Sequence, residues 1–212
     1  MAVAAVPSET RIVIPNIAWE VFESLAASDC AGTRFAYDKG VLEVMSPSIE
    51  HEWLHRNLGR MVETVTEELN IPVLSAGSTT LKLQLARRGL EPDECYYLAH
   101  EAQMRGKREL DLSVDPPPDL AIEVDISRSS LDKLDIYANV GVPEVWLHKG
   151  DALEVHHLQG GGYVRHDASL AFPFLDMEEI ERFLGRWEQQ GETAWIRSFR
   201  EWVRQRYGHL AM

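Results

Sequence analysis

Apolar residues recur along this chain in two rhythms, one near 3.6 residues and one of two, and the changes between them predict the elements. Ile17, Val21, Phe22 and Leu25 fall on one stripe and predict a helix over 17–25. Two short strands follow over 33–37 and 41–45, with Asp38, Lys39 and Gly40 as the turn of a hairpin. Ser46 then reads as an N-cap with Pro47 at the first helical position. Behind it Ile49, Trp53, Leu58, Val62, Val65 and Leu69 predict the longest helix, ending near Asn70 and Pro72.

Further strands are expected over 73–75, 79–85 and 94–98, with Arg87, Arg88 and Gly89 as a turn. Three prolines, Pro116 to Pro118, exclude helix and central strand and lead stiffly into 119–126. That segment alternates strictly and is rich in β-branched residues, so it reads as a strand. A short helix over 131–140 is stopped by Gly141 and Pro143. Strands over 144–148, 152–158 and 163–166 and helices over 177–187 and 193–207 complete the chain, with Gly160 to Gly162 turning the last strand pair. The expected fold class is α/β (α+β), one central mixed β-sheet flanked by helices. An arm over 1–15 is expected to fray, and 16–212 to form a single domain that includes the C-terminal helices.

The chain has 212 residues, which suits one domain with one sizeable core. Two cysteines, Cys30 and Cys95, are too few for a disulfide framework or a four-thiolate zinc site, so they read as packing residues of a cytoplasmic protein. The apolar stretch over 2–6 is short and lacks a basic leader, so neither a signal peptide nor a membrane span is expected. The net charge of −13 argues against binding nucleic acid by charge alone. A polyanion must then meet a metal or a local basic patch: Arg87 with Arg88, Arg105 with Lys107 and Arg108, or the late helix with Arg197, Arg200, Arg204 and Arg206. For that helix a solvated arginine face is the plainer reading.

Candidate chemistry lies on the strand over 119–126. Alternation puts Leu120, Ile122, Val124 and Ile126 on one face and Asp119, Ala121, Glu123 and Asp125 on the other. Carboxylates two apart on a strand lie about 7 Å from one another, so their joint ionisation calls for solvent, a cation or raised pKa values. The plain alternative is a strand with one wet face. A second acidic cluster, Glu91 to Glu94, precedes an earlier strand, so carboxylates from two strands are candidates for a magnesium site. Lys133 and Tyr137 stand four apart on the next helix and share a face, which would bring an ammonium back beside Glu123 and Asp125.

On these residues the chain resembles the Uma-type restriction endonuclease family, a bacterial domain with a PD-(D/E)XK nuclease-like core. The likeness runs through Met45, Ser46, Pro47 and His51; Pro92 and Asp93; Pro118 and Asp119 to Asp125; Lys133; and the run Tyr137, Ala138 and Gly141 to Trp146. Phe172 to Leu175 and Phe199 to Trp202 resemble one subgroup. The resemblance implies a restriction endonuclease-like core, with Asp93 and Glu123 as metal carboxylates and His51 as an auxiliary site residue. The nuclease pattern wants lysine two positions after the glutamate, where Asp125 stands; Lys133 is the nearby substitute.

The expected function is therefore Mg²⁺- or Mn²⁺-dependent cleavage of nucleic acid, DNA ahead of RNA. In it Asp93 and Glu123 hold the metal, Asp119 or Asp125 assists, Lys133 positions water or steadies charge, and His51 and Tyr137 flank the phosphate. The alternative from another class is a catalytically weak nucleic-acid or protein-binding module on the same fold. A third, lesser reading comes from His51, Glu52, Trp53, Leu54 and His55, the His-Glu-x-x-His spacing of zinc peptidases, although Leu58 and Met61 depart from the extended motif. Against it stands a satisfied or solvent-facing His55. His156, His157 and His166 read as surface residues. Trp187, Trp195 and Trp202 suggest a homodimer contact.

Overall fold

The computed structural model describes residues 9–28, 32–127 and 129–211. Its elements are, in chain order, β1 (Thr10–Ile14), α1 (Trp19–Ala26), β2 (Arg34–Asp38), β3 (Val41–Ser46), α2 (Ile49–Leu69), β4 (Leu74–Ser75), β5 (Leu81–Leu83) and β6 (Arg88–Leu90). There follow β7 (Glu94–Tyr97), α3 (Glu101–Met104), β8 (Leu120–Asp125), α4 (Lys133–Val140), β9 (Glu144–Lys149), β10 (Ala152–Gln159), β11 (Gly162–His166), α5 (Met177–Leu184), α6 (Trp187–Gln190) and α7 (Glu192–Tyr207).

The mixed α/β class holds, but the described strands form two sheets instead of one. An antiparallel sheet runs β1-β3-β2-β6-β5, and a mixed sheet runs β11-β10-β9-β8-β7-β4. The split occurs where β6 pairs with β2 and β7 pairs with β8. Pro92 has no N–H to give a ladder, and the chain changes sheets around it. Asp93 therefore sits at the crossing between the sheets.

In the mixed sheet β8 pairs parallel to β9, with Glu123 opposite Leu147 and Asp125 opposite Lys149. Parallel neighbours need a crossover, and α4 supplies it. Asp132 caps α4 by accepting from Asp135 N at 3.2 Å, and Gly141 closes it at φ 90°. Both faces of β8 are covered. Leu120, Ile122 and Val124 join Leu58, Met61, Val62 and Val65 of α2 and residues of α5 and α7 in one core. Ala121 joins Ile136, Tyr137 and Val140 of α4 in another. The wet-face alternative is thereby excluded, because Glu123 is 2% exposed.

The two-residue turn of the β2–β3 hairpin has Lys39 and Gly40 both at positive φ, as a tight hairpin turn with the right twist requires. Three local expectations fail. The N-cap of α2 is Ser48, whose side chain accepts from His51 N at 3.2 Å, while Ser46 ends β3. Residues 88–90 are a strand and not part of a turn. Thr10–Ile14, expected to fray with the rest of 1–15, pairs along β3 from Thr10 opposite Ser46 to Ile14 opposite Leu42. Its run of three aliphatics has no alternation to announce a strand, and its partner is distant in sequence. Residues 1–8 and Cys30 lie outside the described residues.

The basic patches are largely neutralised inside the chain. Arg88 is buried against Asp38 at 2.7 Å and Asp135 at 2.6 Å. Arg105 pairs with Glu101 and Lys107 with Asp115. Arg200 and Arg204 of α7 hold Glu67 and Glu68 of α2, clamping the two helices together. The tryptophans that suggested a dimer are also used internally. Trp195 is wholly buried and donates to Phe183 O at 2.7 Å; Trp202 packs on Phe183 and Phe199; Trp187 meets Trp53 at 4.9 Å between ring centroids. Among the described residues no helix is long and apolar enough to cross a membrane.

Candidate active site

Three elements bring ionisable groups together behind β8. Asp93 reaches across from the sheet crossing, and its Oδ2 accepts from Val124 N at 2.8 Å. His51, on the first turn of α2, places Nε2 3.1 Å from Val124 O and 3.3 Å from Asp93 Oδ2. Glu123 points to the other face of β8, where Lys133 donates to Oε1 and Tyr137 donates to Oε2 at 2.8 Å. One helical turn separates Lys133 from Tyr137, so α4 grips both carboxylate oxygens from one face.

The electrostatics follow from burial opposed by partners. Burial works to raise the Asp93 carboxyl, but the hydrogen bond and charge of His51, with Lys133 and His55, hold it down at about 2. Burial pushes the Glu123 carboxyl up against the charge of Lys133, and with negative Asp93 beside it the net direction stays upward although Lys133 and Tyr137 also donate to it. Burial would lower Lys133, yet Glu123 and Asp93 outweigh it and keep the ammonium charged. His51 is likewise held above its ordinary value against burial, by Asp93, Glu123 and Glu9.

The expected residues do not all meet. Asp119 precedes β8 and accepts from Leu98 N at 2.7 Å, His100 N at 3.0 Å and His100 Nδ1 at 2.6 Å. It closes the chain reversal after β7. Three residues lie between it and Glu123, and the four steps span about 13 Å at strand rise, so the structure does not bring Asp119 to Glu123. Asp125 is nearer but is bound to Arg11 at 3.3 Å and to Ser129 N at 3.2 Å. His51 and Tyr137 are both 0% exposed; His51 contacts Asp93, and Tyr137 donates to Glu123 and lines the cavity beside it.

Sequence reasoning missed a second layer, delivered by the unexpected strand β1. Arg11 donates to Glu9 at 2.7 Å and to Glu43 of β3 at 2.8 Å. Glu9 also accepts from Ser127 N at 2.9 Å and Ser127 Oγ at 2.6 Å, and its Oε2 lies 4.0 Å from His51 Nε2. Glu43 accepts from Ser129 Oγ and Ser130 N, both at 2.9 Å. β1 thus ties the antiparallel sheet to the end of β8. One signal was present: Glu43 is a lone carboxylate in an otherwise apolar strand, a position that calls for a buried partner.

A metal would find unused donors here. Asp93 Oδ1 is buried with no hydrogen-bond partner among the described residues; Arg34 Nε stands 3.8 Å away, too far to supply one. The oxygens of Glu123 each carry one donor and keep a second lone pair. Two carboxylates of this kind suit a hard divalent ion such as Mg²⁺ or Mn²⁺. Beside Glu123 opens a cavity of about 320 Å³ lined also by Asp125, Ser129, Lys133, Tyr137 and Lys149.

His55, expected to be satisfied or solvent-facing, is 6% exposed, and Glu52 Oε2 lies 3.1 Å from its Nε2. The peptidase reading needs Glu52 as a general base, and here its carboxylate is spent on His55. His157, expected at the surface, is buried and its ring stacks on His166 at 4.1 Å.

The family profile Uma2, described as a putative restriction endonuclease, matches residues 19–191. Among curated proteins none matches the chain. A crystal structure described as a putative nuclease belonging to DUF820, from Anabaena variabilis, superposes with a TM-score of 0.56 at 15% identity. The alignment covers 79% of this chain and 99% of that one, a likeness of fold.

Proposed function

The chain belongs to the Uma2 family of restriction endonuclease-like proteins, and from that premise we propose that it is a divalent-metal-dependent endonuclease hydrolysing phosphodiester bonds of DNA, or failing that of RNA. The observation that carries the reading is Glu123 of β8 gripped by Lys133 of α4 at one open cavity, with the buried Asp93 carboxylate near enough to act on both by its charge. Asp93 and Glu123 would hold Mg²⁺ or Mn²⁺. When bound, such an ion polarises a phosphoryl oxygen and makes water a better nucleophile.

The protein's own groups do the rest. Lys133 keeps its proton against burial, so its ammonium can orient an attacking water and offset charge developing on the phosphate. Tyr137 fixes the Glu123 carboxylate by donating to Oε2. His51 fixes Asp93 through its Nε2, 3.3 Å from Oδ2. Lys149 lines the same cavity and would meet the flanking backbone phosphate. With Arg88, Arg200 and Arg204 already engaged by carboxylates, affinity would rest on this local set and on the metal, in keeping with the net charge of −13.

The test is cleavage of supercoiled and linear DNA, and of RNA, with Mg²⁺ or Mn²⁺, beside Asp93→Asn and Glu123→Gln. Cleavage by the parent that both substitutions abolish supports the enzyme. A parent that binds nucleic acid without cutting it would establish the binding module instead.

A further inference from the structure

We propose a second metal site, separate from the carboxylate pair, formed by His51, Glu52 and His55 at the start of α2 and selective for a zinc-class transition ion. This proposal does not depend on the nuclease reading. One ligating atom from each of these residues lies within 4.8 Å of the others. The two imidazole rings stand 5.6 Å apart between centroids and are inclined at 55°.

The nitrogens left unused make this more than a favourable spacing. His51 is 0% exposed, and its Nε2 lies 3.1 Å from Val124 O. A proton on Nε2 donates to that carbonyl and leaves the Nδ1 lone pair, buried and with no hydrogen-bond partner among the described residues, available as a ligand. A buried imidazole nitrogen with no partner is costly, and an ion would satisfy it. In His55 the roles are reversed. Its Nε2 faces Glu52, while Glu94 Oε1 stands 3.6 Å from Nδ1 as the outer carboxylate that orients a ligating histidine. Gly59, one turn further along α2, admits this approach: a Cβ there would meet Tyr96 Oη at 2.9 Å and Glu94 Oε1 at 3.2 Å.

Two imidazoles and a carboxylate suit zinc and its neighbours better than magnesium. A tetrahedral ion with bonds of about 2.0–2.1 Å needs ligand atoms about 3.3 Å apart, so atoms within 4.8 Å of one another must close by up to about 1.5 Å. Glu52, whose side chain is 47% exposed, can move that far and leaves a coordination position open to solvent. Glu52 is then a ligand and not a general base, which separates this site from a zinc peptidase. His51 would join the two centres through its ring, Nδ1 toward this ion and Nε2 toward Asp93.

Co²⁺ titration of the apoprotein followed by visible absorption, with metal content measured after dialysis against Zn²⁺, tests the site without any activity assay. The parent should take up one ion in a low-symmetry, near-tetrahedral environment with intense d–d bands. Glu52→Gln should weaken binding about 10- to 100-fold, and His55→Asn at least as much, while Asp93→Asn should keep the bands. Because Glu52 is exposed, Glu52→Gln reports on the site even if His55→Asn does not fold. No Co²⁺ bands in the parent, undiminished affinity in Glu52→Gln, or bands lost only in Asp93→Asn and Glu123→Gln would each overturn the proposal. The last outcome would assign the ion to the carboxylate pair and leave the nuclease reading standing.

Discussion

Lys133 and Glu123 stand ten positions apart in the chain, yet the Lys133 ammonium donates to Glu123 Oε1. The contact exists because β8 and α4 are joined by a short loop and α4 folds back over β8. Tyr137, one turn later, takes the other oxygen at 2.8 Å. Glu123 is therefore oriented entirely by the helix that follows its own strand.

Removing these two donors should separate chemistry from positioning. Lys133→Ala is expected to lower kcat about 10²- to 10³-fold, the usual loss for a donor that acts on developing charge. Tyr137→Phe should cost less in kcat and raise the Mg²⁺ concentration needed for half-maximal cleavage, because Glu123 is then loosely held. Steady-state cleavage with the metal titrated checks both; an unchanged Mg²⁺ requirement in Tyr137→Phe would count against its positioning role.

Arg11 is the cation of a buried cluster, 8% exposed in its side chain beside Glu9 at 0% and Glu43 at 1%. Arg11→Met leaves two buried carboxylates without their countercharge, and a loss of about 3–5 kcal/mol of stability is expected. Urea denaturation measures it. Adding Glu43→Gln should recover part of the loss, since one uncompensated charge is removed.

In an exposed helix Gly→Ala would stabilise by about 1 kcal/mol. Gly59→Ala should do the opposite. Its Cβ would press on Tyr96 Oη and the Glu94 carboxylate, and helix and strand must separate at a cost of about 1–3 kcal/mol. A melting temperature at or above that of the parent would contradict the close packing of α2 on β7.

His148 on β9 is 6% exposed, and burial lowers its pKa below 6.5 despite Glu181 and Asp151 nearby. The folded protein then binds fewer protons at this site than the unfolded chain. Its stability is full above pH 6.5 and falls as pH drops toward the lower folded value. The difference in urea midpoint between the parent and His148→Leu should accordingly shift against the parent between pH 7.5 and pH 5.5. Parallel pH profiles would refute the assignment.

Much of the site was legible because strand and helix periods are local. The alternation of 119–126 placed Glu123 opposite Ile122 and Val124, and the four-residue step placed Lys133 with Tyr137. Asp93 was suggested by a resemblance and by the acidic run around it. Asp119 failed because a residue just ahead of a strand is free to serve the preceding loop, and it caps the turn at His100. Glu9, Arg11 and Glu43 were illegible as a group: each contact joins segments whose pairing no local pattern encodes.

From the chain by itself came the periods, the caps, the turn glycines and a family likeness, hence the mixed α/β class and the identity of the carboxylates and lysine, because each depends on neighbours within about one turn or one strand. The tertiary structure alone decided that the strands form two sheets, that β1 straps them together, and that β8 is buried on both faces. Those outcomes depend on which distant surfaces exclude water together, and that choice shifted the Asp93 carboxyl down, the Glu123 carboxyl up and His51 up.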